Sequence, residues 1–278
     1  MNIHSPSRPP GVAARPAEGT FIPLALDRSA LYHLAAGDAR VAADRYAALW
    51  PLVEKVAGAE GARDRLITQV GWAAALLAAD AGAESLAHIA AAEKLLGAAA
   101  GASLEGPYGR YRTATPPVDY PLLLAGMRAQ AHAAGGQLVE ASAAMTRRRD
   151  ELAARVAKLA LDEDRLALAE SEAQLARYAY RRHAFDEALG HVEAALRQWD
   201  AWSDSTGTPV EDTGLALLAA YAELHLFASL SLDRMHLDLP HRLETSYTAL
   251  NKTRNPAWEP MRERLEVYLT MMNLGRLR

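Results

Sequence analysis

Few side chains in this chain of 278 residues are spaced for chemistry. His236, Asp238 and His241 come nearest to a metal-ligand set, because imidazole and carboxylate are both ligand types. Beside Pro240, at the entry to a short helix, they read better as exposed histidines than as an ion site. Asp162, Glu163 and Asp164 offer paired carboxylates. General acid–base work needs one carboxyl raised by an apolar pocket, and these three read as a solvated turn. The sequence carries no Gly-x-x-x-x-Gly-Lys phosphate loop, no Gly-x-Gly-x-x-Gly fingerprint, no His-Glu-x-x-His and no Gly-x-Ser-x-Gly. It has no cysteine, which excludes disulfides, thiolate metal sites and a Cys nucleophile. No catalytic residue, metal or cofactor is therefore expected.

Arginines and tyrosines are the better candidates. Tyr108, Arg110, Tyr111 and Arg112 alternate aromatic and basic character in a Gly- and Pro-rich stretch. On a loop, such residues can grip a partner peptide or stack on a base. The plainer alternative is an inserted loop pinned by its tyrosines. Arg147, Arg148 and Arg149 form a second basic run, read as solvated surface, with nucleic acid as the alternative contact.

The element that organises the molecule is the stretch from Leu166 to Asp200. Leu168, Leu175, Ala176 and Ala179 make one apolar stripe. Phe185, Ala188, Leu189, Val192, Ala195, Leu196 and Trp199 make another. Spacings of three, four and seven put each set on one helix face. Arg181, Arg182 and His183 interrupt the pattern between them, so two antiparallel helices joined by a tight turn are predicted. Ala176 and Ala188 are small residues within these two stripes.

With Phe185-Asp186-Glu187-Ala188-Leu189 at the start of the second helix, this hairpin resembles the tetratricopeptide-repeat (TPR) family. It departs from the family pattern in four places. Glu172 stands for an aromatic residue, Ala179 for a mid-helix tyrosine, His183 for the turn glycine and Asp200 for the closing proline. The resemblance implies an all-α fold, a right-handed stack of antiparallel helical hairpins (an α-solenoid) with about ten or eleven helices. It also implies that the first helix of each hairpin lines a groove, with Arg177, Tyr180 and Arg181 facing it. Arginine forms paired hydrogen bonds to carboxylates and tyrosine adds flat contact area. An acidic peptide or the C-terminus of a partner protein would suit such a groove.

Alanine is the strongest helix former, and its abundance here agrees with helix nearly throughout. With arginine far exceeding lysine, it also suggests a GC-rich bacterial genome. The net charge of −4 gives no general basic field, so nucleic acid and anionic membrane are not expected partners. The N-terminus lacks an apolar core of the secretory kind, and no run of apolar residues is long enough to span a bilayer. A cytoplasmic protein is expected.

In order along the sequence, residues 1–22 read as a flexible Pro-rich arm and 23–278 as a single TPR-like domain. Asp27 is the expected cap of a helix carrying Leu31 and Leu34. Asp38 is the expected cap of a helix over 39–56, in which Ala42, Tyr46 and Leu49 fall at spacings resembling a TPR second helix. A second hairpin takes 61–79 and 83–96. A long loop follows at about 97–120. One helix covers 121–134. The next runs from about 137 to about 161, and the alternative is a single helix continuing to Arg182. After Trp202 a polar loop is expected, and then three helices, the last carrying Met261, Leu265, Tyr268, Leu269 and Met272 on one face. That last helix closes the stack or pairs with a second copy of the protein. Hairpin starts near 27, 61, 121, 166 and 210 are too uneven for a strict 34-residue array.

The resemblance, rather than the composition, implies a non-enzymatic scaffold or adaptor that binds a protein segment along a concave face. Two alternatives stay open. One is a helical ligand-binding or enzymatic domain with a pocket between hairpins, using His225, His236 or Tyr111. The other is a nucleic-acid-binding regulatory module using the arginines at 147–149.

Overall fold

A computed structural model describes residues 18–99 and 119–206 continuously, with scattered positions between 244 and 270. Among the described residues there is no strand, and the molecule divides into two compact units, Met1–Tyr120 and Pro121–Arg278.

The first unit holds α1 (Glu18–Ala35), α2 (Ala39–Val53), α3 (Gly58–Ala78) and α4 (Gly82–Ala99). The second is built from α5 (Tyr120–Ala134), α6 (Leu138–Leu159), α7 (Asp162–Arg181) and α8 (Phe185–Thr206). In each unit the second helix of one hairpin packs on the first helix of the next, α2 on α3 and α6 on α7. This is the packing rule of a hairpin stack: each hairpin buries its open side on its neighbour.

All four hairpins close with the same turn. Gly37, Asp80, Gly136 and His183 each take a positive φ, between 56° and 86°. At each, the turn residue's N–H bonds to the carbonyl three residues back. The next N–H bonds to the carbonyl five back, as in Asp38 N to His33 O at 2.8 Å and Ala184 N to Ala179 O at 2.9 Å. This pair of bonds is the Schellman closure, and its left-handed position favours glycine. The residue after it then starts the second helix, as Ala42 N bonds to Asp38 O and Ala188 N to Ala184 O. His183 fills a glycine position at a conformational cost of about 1 kcal/mol. His183→Gly is therefore expected to raise thermal stability, by about that amount, in a calorimetric scan.

Small residues set the spacing inside hairpins. Ala176, Ala179, Ala188 and Ala195 are buried together with Val192, Leu196 and Trp199. In the first unit Ala42, Tyr46, Leu49 and Val53 pack with Ala30, Ala75 and Leu76. Both clusters use the stripes expected from the sequence.

The structure corrects several boundaries. Asp27 is not the start of α1: the helix is described from Glu18, so residues 18–22 are helical rather than part of an arm, and Asp27 is buried in mid-helix. Asp38 precedes α2 as expected, but its carboxylate makes no capping bond and instead meets His33 Nδ1 at 3.3 Å. α2 stops at Val53, two residues after Pro51, which has no N–H to donate. α4 continues to Ala99, into the stretch expected as loop. Residues 137–182 are two helices, as the favoured reading had them, because Ala160 turns left-handed at φ 51°, ψ 33° and ends α6. Asp162 to Asp164 form the first turn of α7, where acidic residues favour the helix dipole. Asp164 is buried and accepts a hydrogen bond from Arg155 Nε at 3.2 Å, so it is not a solvated acid. Residues 203–206 belong to α8 rather than to a polar loop. Eight helices lie within residues 18–99 and 119–206, and the expected later ones fall mainly outside the described residues.

Candidate functional site

α7 has three faces. Ala169, Ala176 and Ala179 face α8. Leu175 and Tyr178 pack with Ala129 and Ala133 of α5 and Ala141, Ala144 and Met145 of α6. The third face is open and carries Glu163, Glu170, Arg177 and Arg181, all exposed. Their spacing of seven, seven and four is one helical stripe.

Two of the three expected groove residues of α7 share that stripe. Arg177 is exposed, and no ion pair to it is found among the described residues. Arg181 is exposed too, but its Nη1 donates to Ala133 O at 3.2 Å. That carbonyl lies in the last turn of α5, where it also accepts the Gly136 N–H and where a cation complements the helix dipole. Arg181 therefore locks the C-terminal ends of α5 and α7 side by side. Tyr180 turns away from the stripe. Its ring meets Phe185 edge-on at 5.7 Å and is part of the packing against α8. Arg182, not an arginine of the stripe, bonds to Glu187 at 2.6 Å.

The expected contacts Tyr108, Arg110 and Tyr111 lie outside the described residues, as do His225, His236, Asp238 and His241. Among the described residues no group of three His, Cys, Asp or Glu residues could hold a metal ion, and no helix is long and apolar enough to cross a membrane.

The run Arg147–Arg149 is not a uniform solvated patch. Arg148 lies along Gly126 of α5, where a Cβ would come within 3.4 Å of its side chain, and donates to Ser171 Oγ at 2.7 Å. Burial lowers its pKa, and the nearby Glu170 opposes that shift. Arg149 pairs with Glu172 at 3.4 Å and with Asp150 at 2.6 Å. Two of the three arginines are thus part of the α5–α6–α7 packing, and Arg147 is the exposed one.

The sequence reading missed a matched pair of polar contacts. In the fourth hairpin His191 Nδ1 lies 2.6 Å from Glu172 Oε2. In the second, His88 Nδ1 lies 2.7 Å from Gln69 Oε1, with the ring stacked on Trp72 at 4.0 Å. Each histidine is eight residues after the left-handed turn residue and each acceptor eleven before it. Glu172 is where the family pattern has an aromatic residue, so a polar bridge takes the place of a ring. The recurring nineteen-residue spacing was the available signal.

Burial lowers the pKa of His88 below 6.5, against the pull of Glu84. The unfolded state then binds the proton more readily than the folded one. Stability from this group is present above about pH 6.5 and is lost as pH falls through its folded pKa. Melting curves at about pH 8 and about pH 5 should show a larger acid-induced drop in Tm for the wild type than for His88→Gln. Equal drops would assign the acid sensitivity to other groups.

No family model and no curated protein matches the sequence. Solved structures do. A crystal structure of a variant of a Podosopora anserina putative kinesin light chain with nearly identical TPR-like repeats is 18% identical, with a TM-score of 0.59, over 86% of this protein and 98% of that one. A second crystal structure of that putative kinesin light chain, also 18% identical, gives a TM-score of 0.57 over 84% and 98%. Identity at this level carries the fold and not the partner. The protein folds as a TPR-like stack of helical hairpins.

Proposed function

We propose that this protein is a non-enzymatic scaffold that binds a segment of a partner protein along the open face of its first helices, with Arg177 as the principal anchor. The observation that carries this reading is the exposed Arg177 guanidinium beside Arg181 on a face that no described helix covers. Arginine in such a position can take a carboxylate through two parallel N–H donors. The partner segment is therefore acidic at that point. Tyr108, Arg110 and Tyr111 are proposed as further contacts. The composition supports a bacterial, cytoplasmic setting, and the C-terminal helix is proposed as a surface for homodimerisation.

The test is an affinity capture from lysate of the native host, wild type against Arg177→Ala, read by mass spectrometry. Arg181 is left in place because it also holds Ala133 O. Loss of one protein from the variant, with circular dichroism unchanged, supports the reading. Identical captures with both baits would remove Arg177 from the site.

A further inference from the structure

The open face of α7 is charged with opposite signs at its two ends. Relative to the left-handed residue His183, Glu170, Arg177 and Arg181 stand 13, 6 and 2 positions earlier. The same offsets from Gly136 fall on Leu123, Gln130 and Ala134 of α5. Leu123 is 38% exposed, and Gln130 and Ala134 are exposed as well. The Arg181–Ala133 bond, one residue from Ala134, holds the two helices in that register. The face therefore has two levels. One carries Arg177 and Arg181 with Gln130 and Ala134, and the other carries Glu170 with the apolar Leu123.

In the first unit the same offsets hold Leu31 and Ala35 on α1 and Ile67, Ala74 and Ala78 on α3, none of them charged. Among the described residues, charge at these positions is confined to α7.

Resting on the reading above, we infer that the occupant of this face is a bipolar segment: one or two acidic residues opposite Arg177 and Arg181, then a basic residue flanked by an apolar one opposite Glu170 and Leu123. Its spacing follows from helix geometry. Glu170 and Arg177 are seven residues apart, about 10 Å along the axis at 1.5 Å per residue, and Arg181 adds about 6 Å. An extended peptide rises about 3.3 Å per residue, so acid and base are about three to five residues apart. A uniformly acidic segment would meet Glu170 with like charge, and a uniformly basic one would meet both arginines. Charge complementarity of this kind selects among partners more than it adds affinity.

The probe is a set of fluorescein-labelled synthetic peptides of about twelve residues, read by anisotropy at low salt against the full-length protein. One series carries two Glu and a Leu-Lys pair separated by two to eight residues. A second carries Glu only, and a third Lys only. The wild type is expected to favour the bipolar series at separations of three to five, by about five-fold over Glu-only peptides. Glu170→Lys is expected to reverse that preference toward Glu-only peptides, and Arg177→Ala to weaken both. A wild type that takes Glu-only peptides as well as bipolar ones, with Glu170→Lys changing nothing, would overturn the bipolar inference while leaving Arg177-dependent binding intact. If no series depends on Arg177, the inference and the proposed function both fail.

Discussion

Gly71→Ala is expected to destabilise the first unit by about 1–3 kcal/mol, the usual cost of overpacking a filled core. A Cβ at Gly71 of α3 would fall on the ring of Tyr46, with Cε1 at 2.7 Å and Cζ and the hydroxyl oxygen closer still. Tyr46 is 1% exposed and packed among Ala42, Leu49, Ala75 and Leu76, so the ring has little room to give. This contact is the junction of α2 with α3, so the substitution acts on the stacking of one hairpin upon the next. Chemical denaturation should show a lower midpoint for Gly71→Ala. In a Tyr46→Leu background the same change should cost much less, because the obstructing ring is gone. Equal costs in both backgrounds would mean that the penalty arises elsewhere.

Glu172→Ala is the second large effect, with about 2–3 kcal/mol lost from the second unit. Glu172 is 6% exposed and lies between Arg149 of α6 and His191 of α8. Its removal leaves two polar partners facing an apolar methyl group. The expected loss falls at or below the bottom of the roughly 3–5 kcal/mol typical of a fully buried pair, because the Arg149 and His191 side chains keep some access to water. Glu172→Gln should cost less than the alanine change. It keeps an acceptor for His191, as Gln69 does for His88 in the second hairpin. Urea melts of the three proteins test this order, and a Gln variant as damaged as the Ala variant would contradict it.

The sequence made the hairpins legible because alanine and leucine recur at helical spacing and the turns are polar. Ala176, Ala188 and Ala195 are buried, as their small size at close-approach positions requires. Legibility failed where position and environment part company. Asp27 looks like a cap because aspartate favours caps, yet it lies within a helix already formed nine residues earlier. Arg148 and Arg149 look like a surface run, but they lie over Gly126 and against Ser171 and Glu172 on neighbouring helices. No local pattern could show that partnership. The acidic run Asp162 to Asp164 marked the break after α6, but the residue that makes it, Ala160, takes a left-handed conformation that an alanine seldom adopts and that no local pattern signals. For the candidate site, Arg177 and Arg181 were found on one exposed stripe of α7. Tyr180 was drawn instead into packing with Phe185 across the turn.

Site-specific photo-crosslinking tests the central claim most directly. A benzoyl-phenylalanine residue at position 130, exposed on α5 level with Arg177 and leaving both arginines in place, is compared in the native host with one at position 197, on the exposed face of α8. The account predicts a discrete crosslinked partner from position 130 and none of that mass from position 197. A partner captured equally from both positions, or from position 197 alone, would contradict it.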